Sequence, residues 1–251
     1  MSESVISPSS IPKRPHWRER FGDCFFVAMA AMLLALVVLG FSRTLFFRPF
    51  FGLPDLPVYL SVHGIVLSIW YLLFLVQSLL VATHRVAWHR QLGVVGVALA
   101  VCVVAVSVVV TFSFIPRGID AGADEARTSQ LVQTFIAAVW ALLSFVVLIA
   151  GAIVLRRRPE IHKRLMLFAS IAIIGPAGTR VPIVLAAMGL SPRLGAPFLV
   201  ISLAGPVVYD IVVRGRPHIA TVLCLGLVLV SIASPFWLVG NESVRAFVLT
   251  L

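Results

Sequence analysis

Charge is scarce in this chain. Its 251 residues hold 20 Lys and Arg and only 10 Asp and Glu, so 12% are charged. A soluble domain carries about 25%, and a chain this poor in charge is neither a water-soluble globule nor a disordered tail. Cysteine is scarcer still. Cys24, Cys102 and Cys224 sit far apart with no CxxC among them, which excludes a disulfide scaffold and reads as small buried apolar side chains. The apolar runs show no alternation of period two, so a transmembrane barrel is excluded as well. What remains is apolar. The hydrophobic share is 60% and the mean hydropathy is +1.06.

These proportions describe an all-α, polytopic integral membrane protein. A span needs roughly 20 apolar residues to cross about 30 Å of hydrocarbon. Stretches free of Asp, Glu, Lys and Arg run 24–42, 56–84, 91–116, 128–155 and 217–241. Two further apolar stretches carry one charge each, Arg180 in one and Asp210 near the end of the other. The sequence thus predicts a seven-transmembrane-helix bundle with spans near 24–42, 58–82, 91–115, 129–155, 165–189, 195–213 and 217–239. Residues 1–22, with Pro8, Pro12 and Pro15, are expected as a mobile cytoplasmic tail before a single membrane domain over 23–251. The first span, with no small-residue cleavage site after it, is expected to be retained rather than removed as a signal peptide.

The connectors differ in charge. One face collects 13 Lys and Arg from the N-terminal segment and the second, fourth and sixth connectors; the other has 6. The positive-inside rule puts the N-terminus in the cytoplasm and the C-terminus outside, in a bacterial inner membrane. The net charge of +10 is then an orientation signal and an attraction to anionic lipid. Nucleic acid is not an expected partner, because no basic run is interleaved with aromatics in a soluble segment. The lipid bilayer and other membrane subunits are.

Polar groups at membrane depth are costly and become the functional candidates. His63, Trp70, Gln77 and His84 recur at intervals of seven. At about 100° per residue they share one face of the second span, a stripe about 31 Å long. Such a face belongs inside the bundle, as a ligand surface or as interhelical hydrogen bonding. Three outward-running spans open with histidine: His89-Arg90-Gln91-Leu92-Gly93, His162-Lys163-Arg164-Leu165-Met166 and Pro217-His218. Asp210 is expected at the same depth, with Arg214 four residues on as a competing ion-pair partner. A second, outer layer would pair His63 with Arg180, unless Arg180 pairs with Asp120, Asp124 or Glu125. Gly175-Pro176 and Gly205-Pro206 are expected to kink their spans.

These motifs, with Arg180-Val181-Pro182 and Tyr209-Asp210, resemble a group of bacterial multi-span membrane proteins across residues 58–222. That group carries no assigned activity and so implies no mechanism. More remotely, the five residues from His162 are similar to a helix start in the membrane proteins that help assemble haem-copper oxidases. A retinal protein needs a lysine in its last helix, and this one has none. The adiponectin-receptor and alkaline-ceramidase hydrolases carry paired histidines there, where this chain has only His218.

The expected function follows from the histidine layer. His89, His162 and His218, with Asp210, would hold haem b or a transition metal such as Zn, Cu or Fe, with Arg90 and Arg164 on the haem propionates, in a redox or oxidase-assembly role. The alternatives are a zinc-dependent membrane hydrolase on the same cluster and a cofactor-free transporter or accessory subunit.

Overall fold

The computed structural model describes residues 16–120, 122 and 124–250. Among them there are helices and turns and no strands. Nine α-helices follow in order: α1 (His16–Phe41), α2 (Val58–Ala82), α3 (Val86–Asp120), α4 (Glu125–Val154), α5 (Pro159–Ala172), α6 (Gly175–Ala187), α7 (Ala196–Arg214), α8 (Ile219–Leu238) and α9 (Glu242–Leu249). A π-turn over Ser42–Phe46 and 3-10 turns at Arg48–Phe51 and Pro192–Gly195 complete the connections.

Six helices are long and apolar enough to cross a membrane, and α5 with α6 makes a seventh span if the pair counts as one. The chain is a multi-pass membrane protein. Helix α3 runs 35 residues, about 52 Å at 1.5 Å per residue, and so overshoots the hydrocarbon at its ends. Helix α1 starts at His16, within the stretch expected as a tail; residues 1–15 lie outside the described residues. Helix α9 was not anticipated. Asn241 caps it by accepting from Val244 N–H at 3.1 Å, and Arg245 ties it to Glu125 at 2.5 Å.

The exterior is apolar. Val94, Val101, Val154, Ile183, Leu223 and Phe236 all stand exposed, the inverse of a soluble helix and what lipid requires. The interior centres on α5, which packs against α1, α4, α7 and α8. Its Leu167, Phe168, Ala169 and Ser170 are fully buried.

The α5–α6 pair is bent. Its halves meet at 54° at Gly175-Pro176, where proline supplies no N–H. A helix end strands its last carbonyls, which lipid cannot satisfy. Here α2 supplies a donor: Tyr71 Oη–H bonds the Ser170 carbonyl at 2.9 Å, and Trp70 Nε1–H bonds the Ser170 hydroxyl at 3.2 Å. The break was foreseen in the sequence; the clamp was not. At Gly205-Pro206 there is no such interruption, since α7 is continuous through Pro206.

Helix α6 leans on α1 at a glycine. A Cβ on Gly40 would stand 2.5 Å from the Ala177 carbonyl oxygen, a backbone atom that no side-chain rotation moves. Gly40→Ala is therefore expected to push α1 from α6 and to destabilise by about 1–3 kcal/mol, read as a lower thermal midpoint in detergent micelles. An unchanged midpoint would mean that the two helices separate freely.

Candidate functional site

At one end of the bundle the α2–α3, α4–α5 and α7–α8 turns come together, and two polar clusters form there on either face of α5.

The first is a buried ion pair. Pro159 opens α5 with Glu160 in its first turn, an acid where the helix dipole favours one. Four residues on, Arg164 is 1% exposed, and Asp210 of α7 is 0% exposed. The guanidinium Nε donates to Asp210 Oδ1 at 3.2 Å and Thr221 Oγ1 at 3.1 Å, and its Nη2 pairs with Asp210 Oδ1. Nη1 donates to the Glu160 carbonyl at 2.5 Å and to Glu160 Oε2 at 2.9 Å. Asp210 also accepts from the Thr221 hydroxyl and, at 2.9 Å, from His218 N–H at the start of α8. Four donors around one carboxylate are what an interior charge needs. The Tyr209 ring roofs the cluster, 5.7 Å from Arg164 Cζ and 4.5 Å from the stacked Phe25 ring of α1.

This arrangement differs from the expectation for Asp210. Its partner is Arg164, 46 residues away, and not Arg214. Arg214 Nε is buried with no partner among the described residues. Arg164, expected as a propionate ligand or a surface charge, is a core residue, while Arg90 is exposed.

The second cluster lies where α3 meets α5. The His89 and His162 rings stand 6.3 Å apart between centroids at 81°. His162 Nδ1 lies 2.9 Å from the Ala152 carbonyl oxygen. A carbonyl only accepts, so Nδ1 carries the proton and Nε2 keeps its lone pair. The Gln77 carboxamide, with its oxygen toward Gly93 N–H at 3.0 Å, turns its nitrogen to the His89 carbonyl at 3.2 Å and to His89 Nδ1 at 2.7 Å. His89 Nδ1 is then an acceptor and its Nε2 bears the hydrogen. With the carboxamide in that orientation, the neutral rings carry their hydrogens on opposite nitrogens, Nδ1 of His162 and Nε2 of His89.

The remaining candidates scatter. His84 is exposed at the α2–α3 turn with a φ of 59°, closing α2 rather than joining the other rings. Of the stripe on α2, Trp70 is buried against Phe145, with centroids 5.1 Å apart, Gln77 meets His89, and His63 Nδ1 is buried without a partner among the described residues. Arg180 donates to the Pro176 carbonyl at 2.7 Å and lies 4.9 Å from the Phe41 ring. No bond joins it to His63 or to Asp120, and the other two acids suggested for it are otherwise engaged: Asp124 caps α4 through Arg127 N–H at 2.7 Å and Glu125 holds Arg245. His218 caps α8, its Nδ1 accepting from Ala220 N–H at 3.0 Å. Among the described residues no group of three or more His, Cys, Asp or Glu side chains is placed to hold a metal ion.

The cap carries a pH prediction. Burial first, then the Arg164 and Arg214 charges, hold His218 below its ordinary value of 6.5, with Asp210 and Glu160 acting the other way. Folding thus favours the neutral ring. Below about pH 6.5 the unfolded chain takes up the proton first, so this site's contribution to stability falls as pH drops toward the folded value and is flat above neutrality. Thermal midpoints measured across that window should fall more steeply for the native chain than for His218→Asn, which keeps a cap without titrating. Parallel curves would remove His218 from the pH response.

Comparison of the chain with protein-family models, curated proteins and solved structures finds no match.

Proposed function

We propose that this is a seven-span protein of the bacterial inner membrane, with its N-terminus in the cytoplasm, and that it is a cofactor-free transporter that conducts protons. The basic excess of 13 Lys and Arg against 6 supports the orientation. The observation that carries the transport reading is the edge-to-face contact of the His89 and His162 rings, 6.3 Å between centroids, with Nδ1 partners that leave one Nε2 to donate and the other to accept. Such a pair takes up or releases a proton at His162 Nε2 without breaking the bond from its Nδ1 to Ala152. Proteoliposomes bearing the protein and an internal pH indicator should pass protons down an imposed gradient. His162→Ala should abolish that flux, and Gln77→Leu, which frees His89 to change tautomer, should weaken it. Native-protein liposomes as tight as empty ones overturn the reading.

A second reading keeps the haem or transition metal, in a redox or oxidase-assembly role. One observation favours it: His162 has a free Nε2 lone pair with its Nδ1–H held on a carbonyl, the arrangement that orients a metal ligand. His89 fits less well, because Gln77 donates to the nitrogen that would have to donate in turn. A Soret band or stoichiometric metal in purified protein, lost in both His89→Ala and His162→Ala, would replace the transport reading with this one.

A further inference from the structure

The closed end of the α2–α3 hairpin holds a groove of about 300 Å³ lined by Val76, Leu80, Arg85, Trp88 and Leu92. We propose that it is a site for a single anionic phospholipid, with the headgroup phosphate on Arg85 and an acyl chain laid between the helices. Three features of the groove carry this assignment.

The first is its length and direction. Val76 and Leu80 are one turn apart on α2, and Trp88 and Leu92 one turn apart on α3. From Arg85 at the turn to Val76 is nine residues, about 13 Å along a helix, close to half of the roughly 30 Å hydrocarbon core. The groove therefore runs from the interface to near the membrane midplane, the reach of one leaflet.

The second is the way the turn aims its cation. Arg85 N–H bonds the Leu80 carbonyl at 2.7 Å and His84 N–H bonds the Val81 carbonyl at 3.0 Å. This is the Schellman ending of a helix, with His84 at the left-handed position that glycine usually takes. The motif folds the residue after the left-handed one back against the helix, and so sets Arg85 over Leu80, at the mouth of the groove. No acid is bonded to the Arg85 guanidinium among the described residues, so its charge is open to a phosphate.

The third is the rim. Trp88 is 64% exposed, and an indole at that depth sits at headgroup level. Arg90 is exposed nearby. Lipid of the matching charge is abundant in the cytoplasmic leaflet, which the orientation above assigns to this end.

The test uses the full chain, purified and delipidated in detergent micelles, with its thermal midpoint followed as phosphatidylglycerol or phosphatidylcholine is added. Phosphatidylglycerol should raise the midpoint saturably and phosphatidylcholine should not. Arg85→Ala should weaken the apparent affinity about tenfold, and Val76→Phe, which fills the groove without touching the charge, should weaken it as well. Arg156→Ala, an exposed cation at the same end, should leave it unchanged. Equal losses in Arg85→Ala and Arg156→Ala would show attraction to surface charge alone and overturn the site, as would equal responses to the two lipids or none. The response should persist in His162→Ala, which separates this site from the proton reading.

Discussion

Replacing Asp210 by alanine is expected to cost about 3–5 kcal/mol, because it leaves the Arg164 guanidinium buried without its counter-charge. Glu160 cannot take over. Its side chain is 45% exposed, and it already serves Lys163 at 2.7 Å as well as Arg164 at 2.9 Å. The reverse substitution should be milder. In Arg164→Met the carboxylate keeps the Thr221 hydroxyl and the His218 N–H, and those donors hold an anion at the start of α8. The pair is not in itself a large source of stability, since desolvating both ions offsets most of their attraction. The double variant Arg164→Met with Asp210→Leu should therefore recover much of what Asp210→Ala loses. Thermal or denaturant unfolding in micelles measures all three. If Asp210→Ala lies within about 1 kcal/mol of the native chain, water reaches Arg164 and the cluster is not the closed core described above.

The membrane spans were legible in the sequence because lipid acts on every residue of a span, so composition alone marks it. The bend between α5 and α6 was legible at Gly175-Pro176 for a local reason, a missing N–H. Which polar group meets which was not. Arg164 is one of five basic residues between 156 and 164, and nothing in their spacing separates the one that turns inward from those that face the headgroups. That choice depends on Asp210 and Thr221 arriving from α7 and α8. Thr221 and Ser170 left a weaker signal, as hydroxyl residues inside apolar runs, and Tyr71 was hidden behind its polar neighbour Trp70. Of the stripe, His63, Trp70 and Gln77 lie on α2 while His84 falls beyond its end at Ala82, and the four meet different surroundings, because a line about 31 Å long crosses the turn, the polar layer, the core and the far end in succession. Helix α9 escaped because eight residues are too few to show a period, although Asn241-Glu242 is a capping signature.

Trp70→Ala is expected to destabilise by about 3–5 kcal/mol through the cavity it opens, and more selectively to loosen the break between α5 and α6. The indole is 3% exposed, so little relaxation can refill its volume, and its edge-to-face contact with Phe145 is lost along with the bond to Ser170. Two milder variants separate these effects. Trp70→Phe keeps most of the volume and removes the Nε1–H, for an expected loss of about 1 kcal/mol. Tyr71→Phe keeps the ring and strands the Ser170 carbonyl at the end of α5, where no water is at hand, for about 1–3 kcal/mol. Amide exchange of residues 173–178 should rise in Tyr71→Phe and in Trp70→Ala but much less in Trp70→Phe, because the carbonyl, not the serine hydroxyl, is the group the break leaves bare. Equal exchange in all three would mean that packing alone holds the two half-helices at their angle and that the Tyr71 hydroxyl contributes nothing to it.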